Sequence, residues 1–184
     1  MYRNVQVIAE VKTESPFGFR AGERWYDLFR IARDVGDIIS IHTDPRWGGS
    51  LDLIRAARRR TNKPILAKGI HLSDVDVEAA VEAGANYVLV VGRVPQIYSH
   101  ICLIEPFTVA QLADLEAGTM VVWNTRDLST GGAKTESFEQ ARAAWPGWLC
   151  QAGNIGSVGD IKEGADAILV GSLLEEFAQS LRGR

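Results

Sequence analysis

Short apolar runs of strand length recur eight times along this chain. They occupy residues 7–11, 38–41, 64–67, 87–91, 101–104, 120–123, 148–150 and 167–170. Most are apolar at successive positions instead of alternating with polar residues. A strand wet on one face alternates; a strand apolar throughout is covered on both faces, as in a parallel sheet under helices.

The stretches between the runs read as helices. Trp25, Leu28, Phe29 and Ala32 recur at i, i+3, i+4 and i+7, which aligns them on one helical face. Four later helices are expected to open with a capping box: Ser73 with Asp76, Thr108 with Gln111, Ser137 with Gln140, and Ser157 with Asp160. Gly84, Gly118 and Gly164 stand where three helices would close. Residues 82–90 and 162–170 are near copies, an internal helix–glycine–strand repeat.

Eight strands with helical crossovers predict a compact single-domain α/β fold over residues 1–184, a (β/α)8 TIM barrel. An open doubly wound sheet is the alternative. The first strand lacks the Gly-x-Gly-x-x-Gly turn that would favour it. Barrels typically need about 200 residues or more, so 184 residues demand an economy. Residues 93–100, which include Pro95, leave room for only a reduced fourth helix. The seam exposed there is expected to be covered by a partner subunit, making a homodimer, or by a rearranged loop.

Composition excludes several classes. The net charge of −3 comes without a basic tail or an aromatic–basic alternation, so no nucleic-acid partner is expected. Arg58, Arg59 and Arg60 read as a solvated helix end opposing the dipole. Cys102 and Cys150 sit inside apolar runs and read as buried core thiols, not a disulfide framework. His42, His71 and His100 show no ligand spacing, and neither a metal nor another cofactor is expected. With no secretory signal and no long apolar segment, no membrane partner and a cytoplasmic location are expected.

In a barrel, chemistry gathers at the C-terminal ends of the strands. There the first run carries Glu10 and Lys12, two apart and so on one face; the second ends at His42 and Thr43, the third at Lys68, the fifth at Glu105, the sixth at Asn124, the seventh at Gln151 and the eighth at Gly171-Ser172. An unpaired buried charge costs several kcal/mol. Any one of these charges alone reads as a rim residue; four at equivalent positions read as a functional site. Two lysines and two glutamates in a partly dry pocket suit acid–base chemistry, since crowded cations lower a lysine pKa and burial raises that of a glutamate. No serine–histidine–acid triad or cysteine–histidine pair is apparent. Gly153 and Gly171-Ser172 follow the last two strands, where barrels form phosphate sites from backbone N–H groups.

These segments resemble the indole-3-glycerol phosphate synthase family. Residues 8–16, Ile-Ala-Glu-Val-Lys-Thr-Glu-Ser-Pro, resemble its first-strand Glu-x-Lys-x-x-Ser-Pro motif; residues 124–128, Asn-Thr-Arg-Asp-Leu, resemble its sixth-strand Asn-Asn-Arg-Asp-Leu. Residues 64–68, 103–105 and 168–172 resemble its third, fifth and eighth strands. The resemblance implies a carboxy-lyase of tryptophan biosynthesis acting on a small sugar phosphate, 1-(2-carboxyphenylamino)-1-deoxyribulose 5-phosphate. It implies Lys68 as general acid, Glu105 as base or proton shuttle, Lys12 as the group holding the substrate carboxylate, and Glu10 and Asn124 as orienting residues. Ser15, Gly153, Gly171 and Ser172 would hold the phosphate, and Trp47 would stack on the aromatic ring. Gln151 replaces the glutamate of the family's Glu-Ser-Gly, Gly69 replaces an aspartate, and Arg93 has no counterpart. The family's N-terminal covering helix is not expected here. A related lyase or isomerase, or a non-catalytic phosphate-ligand binder, is the competing reading.

Overall fold

The computed structural model describes residues 5–182. Eight parallel strands close into a barrel in chain order: β1 (Gln6–Val11), β2 (Ile38–His42), β3 (Ile65–Lys68), β4 (Tyr87–Val91), β5 (Cys102–Glu105), β6 (Met120–Asn124), β7 (Leu149–Ala152) and β8 (Ala167–Val170). β8 pairs back onto β1, with Gln6 opposite Ala167 and Ala9 opposite Val170. The expected (β/α)8 barrel is the observed one.

The uninterrupted apolar runs are explained by two packed layers. Ile8, Leu66, Leu89, Leu103, Val122, Cys150 and Leu169 fill the barrel interior. Their sequence neighbours Ala9, Ile65, Ala67, Val88, Ile104 and Ile168 point outward and pack under the helices. Side chains alternate between the two sides with period two, so both parities must be apolar. Each large side chain fully buried in this way contributes about 1.5–3 kcal/mol.

Among the described residues five α-helices lie outside: α1 (Trp25–Val35), α2 (Leu51–Arg58), α3 (Asp74–Glu82), α4 (Phe138–Ala144) and α5 (Leu174–Arg182). Leu28, Phe29 and Ala32 are the buried face of α1, as their spacing predicts. All four capping boxes form. Only those at Ser73 and Ser137 open α-helices. The other two open 3₁₀ helices, Val109–Asp114 and Val158–Asp160. Length explains this correction: a 3₁₀ helix rises about 2.0 Å per residue against about 1.5 Å, so a short segment still spans the barrel height. Gly118 and Gly164 accordingly close turns with positive φ; Gly84 alone of the three follows an α-helix.

The fourth crossover is reduced as expected, to a loop and a single 3₁₀ turn, Ser99–Ile101. The chain covers its own seam there. Arg93 donates from Nη1 to Asp74 Oδ1 (2.6 Å) and from Nε to the His71 carbonyl (3.0 Å), and the Gln96 amide donates to Asp74 Oδ2 (3.1 Å). Beneath, Val90, Cys102 and Ile104 are buried. Arg58 departs from the expected solvated run: it donates to Asn86 Oδ1 and to the Thr61 and Lys63 carbonyls, stitching α2 to the entry of β3. No described helix is long and apolar enough to cross a membrane.

Candidate active site

The inward parity of the strands places one layer of polar side chains at the C-terminal mouth. Two residues beyond Ile8 stands Glu10; two beyond Leu66, Lys68; two beyond Leu103, Glu105; two beyond Val122, Asn124. Glu10, Lys12, Ser15, Trp47, Lys68, Asn124, Gly153, Gly171 and Ser172 all border one cleft at this mouth. A deeper compartment continues from Lys68, Asn124 and Trp47 to Glu105 and to the apolar Leu89, Val91 and Leu128.

Glu10 is the electrostatic centre. Both its oxygens accept from Lys68 Nζ at 3.2 Å. Burial opposes its ionisation, but Lys68, Lys12 and His42 outweigh burial and hold the carboxyl down at about 2. Glu105, equally buried, has the opposite balance. Burial keeps its pKa raised although Lys68, an amide hydrogen bond from Asn124 Nδ2 (3.0 Å) and Lys134 all favour the anion. Two carboxyls in one mouth thus hold protons in different pH ranges, the arrangement that separates acid and base roles. Burial, with Lys68 and Arg126 nearby, lowers the Lys12 pKa against the pull of Glu10.

Asn124 is used at both ends: its Oδ1 accepts from the Arg126 amide at 3.0 Å, which fixes the amide that faces Glu105. Ser15 Oγ accepts from the Phe17 and Phe19 amides, folding the loop after β1 over the cleft. Trp47 ends the 3₁₀ turn Pro45–Trp47 after β2, with its indole stacked on the His42 imidazole.

Gln151 does not join them. Cys150 and Ala152 hold the inward parity of β7, so Gln151 faces outward with Leu149. Its amide is consumed by the crossover: Nε2 donates to the Asp160 carbonyl (2.9 Å) and Oε1 accepts from the Lys162 amide (2.8 Å). The inward wall at the end of β7 is the methyl of Ala152.

Gly153 (φ 96°) and Asn154 (φ 54°) turn the chain sharply after β7. A Cβ on Gly171 would run into the Glu10 carboxylate, so only glycine leaves that carboxylate its place. The Leu174 amide donates to the Gly171 carbonyl as α5 begins, and Ser172 and Leu173 line the cleft at that helix start. A helix N-terminus beside glycine turns can receive an anion.

Three cleft residues were not singled out as site residues by the sequence. Arg126 lies within the Asn-Thr-Arg-Asp-Leu segment and reaches Asn154 Oδ1 at 3.4 Å. Phe17 meets Trp47 edge-on, with ring centroids 6.3 Å apart. His42 stood among the strand-end residues, and its inward parity with Ile38 was the available signal. Among the described residues no group of three His, Cys, Asp or Glu side chains comes together to hold a metal ion.

The family model described as indole-3-glycerol phosphate synthase matches residues 2–116. An indole-3-glycerol phosphate synthase of Leptospira interrogans is 28% identical over 198 residues, covering 95% of this chain and 78% of that protein. One of Geobacillus kaustophilus is 30% identical over 199 residues, covering 94% and 76%. A solved 3-hexulose-6-phosphate synthase superposes with a TM-score of 0.64 at 18% identity over 98% of each chain, a likeness of fold.

Proposed function

The chain belongs to the indole-3-glycerol phosphate synthase family, and from that premise we propose that it closes the ring of 1-(2-carboxyphenylamino)-1-deoxyribulose 5-phosphate, releasing carbon dioxide and water. The observation that carries this reading is the buried pairing of Lys68 with Glu10 on the cleft, with Lys68 and Asn124 also bordering the deeper compartment that holds Glu105. The aromatic carbon bearing the carboxylate attacks the ketone carbon, and Lys68 delivers a proton to the ketone oxygen as its π electrons move there. Loss of carbon dioxide returns an electron pair to the ring. The new hydroxyl takes a proton and leaves as water while a proton is removed from the neighbouring CH2 carbon and the carbon–carbon double bond of the ring forms. Glu105 shuttles a proton in this step, a task that suits a carboxyl whose pKa burial has raised.

Lys12 holds the substrate carboxylate beside Lys68. Glu10 keeps the Lys68 ammonium directed into the cleft, and Asn124 orients Glu105. The phosphate rests against Ser15, Gly153, Gly171 and Ser172, and the aromatic ring lies against Trp47 and the apolar walls Leu89, Val91 and Leu128.

The Ala152 methyl favours a second reading, a related lyase or isomerase of another sugar phosphate, because the inward end of β7 carries no carboxylate. Following indole fluorescence as purified protein acts on the carboxyphenylamino substrate separates the two. Under the first reading turnover occurs, and Lys68→Ala lowers it by about 10²–10⁴-fold while the circular dichroism spectrum stays native. Equal activity in that variant would remove Lys68 from its role. Wild-type protein that binds the substrate without converting it moves the weight to the second reading.

A further inference from the structure

His42 is nearly fully buried at the end of β2, with its Cα in register with that of Lys68 on β3. Its ring lies flat on Trp47, with centroids 5.1 Å apart and an interplanar angle of 2°, which fixes the imidazole plane. Arg46 lies over the same indole and is paired with Asp44. Nε2 stands 3.6 Å from Glu10 Oε1, an oxygen that also accepts from Lys68. Nδ1 is buried and has no hydrogen-bond partner among the described residues.

The charges around the ring are Glu10 on β1, Lys12 just after it, Lys68 on β3, and Asp44 in the loop after β2. Burial, with Lys68 and Lys12, outweighs the two carboxylates and brings the imidazole down to about 3. A neutral imidazole carries one N–H. With Nε2 turned to an ionised carboxylate, that hydrogen belongs on Nε2, since a lone pair there would face the lone pairs of Glu10. Nδ1 is then a bare acceptor.

We propose that His42 is a positioning residue for the Lys68–Glu10 pair, its neutral Nε2–H steadying the Glu10 carboxylate when Lys68 gives up its proton. The step rests on the acid role proposed for Lys68. Before transfer, Glu10 faces an ammonium at 3.2 Å. After transfer it faces an amine and keeps only the longer-range pull of Lys12, and a buried carboxylate that loses its close cation is costly. Beside the weakened amine, the imidazole is the next side-chain nitrogen within 4 Å of the carboxylate. At 3.6 Å the contact is longer than a hydrogen bond, so it strengthens as the lysine contact weakens. Stacking on Trp47 holds the donor ready without making it a competing cation.

The test has one arm that needs no substrate. Nitrogen-15 NMR of histidine-labelled protein is expected to show His42 neutral and protonated on Nε2 through the ordinary histidine range, with its titration moved upward in Lys68→Met. A hydrogen on Nδ1, or identical titration in the two proteins, overturns the proposal. In turnover, His42→Leu is expected to lower kcat roughly tenfold with KM little changed, and His42→Gln, which keeps a neutral donor, to recover most of that loss. Leu and Gln variants equally impaired, with native circular dichroism, also overturn it. If the NMR coupling is present but the wild type does not convert the carboxyphenylamino substrate, the proposed reaction falls and the His42 coupling stands.

Discussion

Gly171 shows how tightly the cleft is built at the level of single atoms. The methyl of Gly171→Ala would occupy the place of the Glu10 carboxylate, so the substitution is expected to push Glu10 off Lys68. Overpacking of this kind costs about 1–3 kcal/mol in stability, and turnover is expected to fall with it. Thermal melts and initial rates check both; unchanged values would show that Glu10 has room to retreat. The two carboxyls give opposite pH signatures. Glu10, held down at about 2, contributes stability that is present above the ordinary carboxylate range and is lost as pH falls from about 4.5 towards 2. Burial raises the pKa of Glu105, so folding disfavours its ionised form and costs stability above the ordinary carboxylate range. Glu105→Gln is therefore expected to raise Tm at neutral pH, to lose that advantage as pH falls to the ordinary carboxylate range, and to lower turnover. A lower Tm at neutral pH would contradict this balance.

At the scale of elements, the strands were more legible than their connections. Apolar runs buried on both faces announce themselves, and their ends brought Glu10, Lys12, Lys68 and Asn124 to one cleft, with Glu105 in the compartment beneath it. The same property hid the parity: where both faces are apolar, nothing local tells inward from outward. Gln151 reads as a cleft residue in the sequence because it is polar and ends a run; counting back by two from it reaches Leu149, which belongs to the outer layer. Capping boxes marked where crossovers begin, but a cap does not set the pitch of the turns after it, so two expected α-helices are 3₁₀ turns. Arg93 had no family counterpart to interpret it. Its contacts with Asp74 and the His71 carbonyl pin the loop that replaces the fourth helix. Arg93→Ala is expected to raise hydrogen exchange and protease cleavage across residues 93–100 while turnover stays near wild type. An unchanged exchange pattern would show that the Gln96 contact and packing suffice.

For the whole molecule, the uneven coat should produce uneven stability. α1 and α5 pack against each other outside the β8–β1 seam, with Trp25, Phe29 and Phe177 in the outer core. The crossovers after β4, β5 and β7 have only 3₁₀ turns. Local opening occurs where few buried contacts hold the backbone. Amide exchange is expected to be fastest in those three crossovers and slowest in β1, β2 and β8; uniform protection around the ring would contradict this. The allotment of side chains to strands has a separate consequence. Glu10, His42, Lys68 and Glu105 come from β1, β2, β3 and β5, and Lys12 directly follows β1, whereas Gly153, Gly171 and Ser172 follow β7 and β8. Closure through the β8–β1 pairing makes these two arcs neighbours although they lie at opposite ends of the chain. Under the proposed reading the acids and bases and most of the phosphate-holding turns thus come from different arcs, with Ser15 the exception. A recombinant chain that exchanged only the last two β–α units would change which molecules the mouth retains and leave most of its acids and bases as they are.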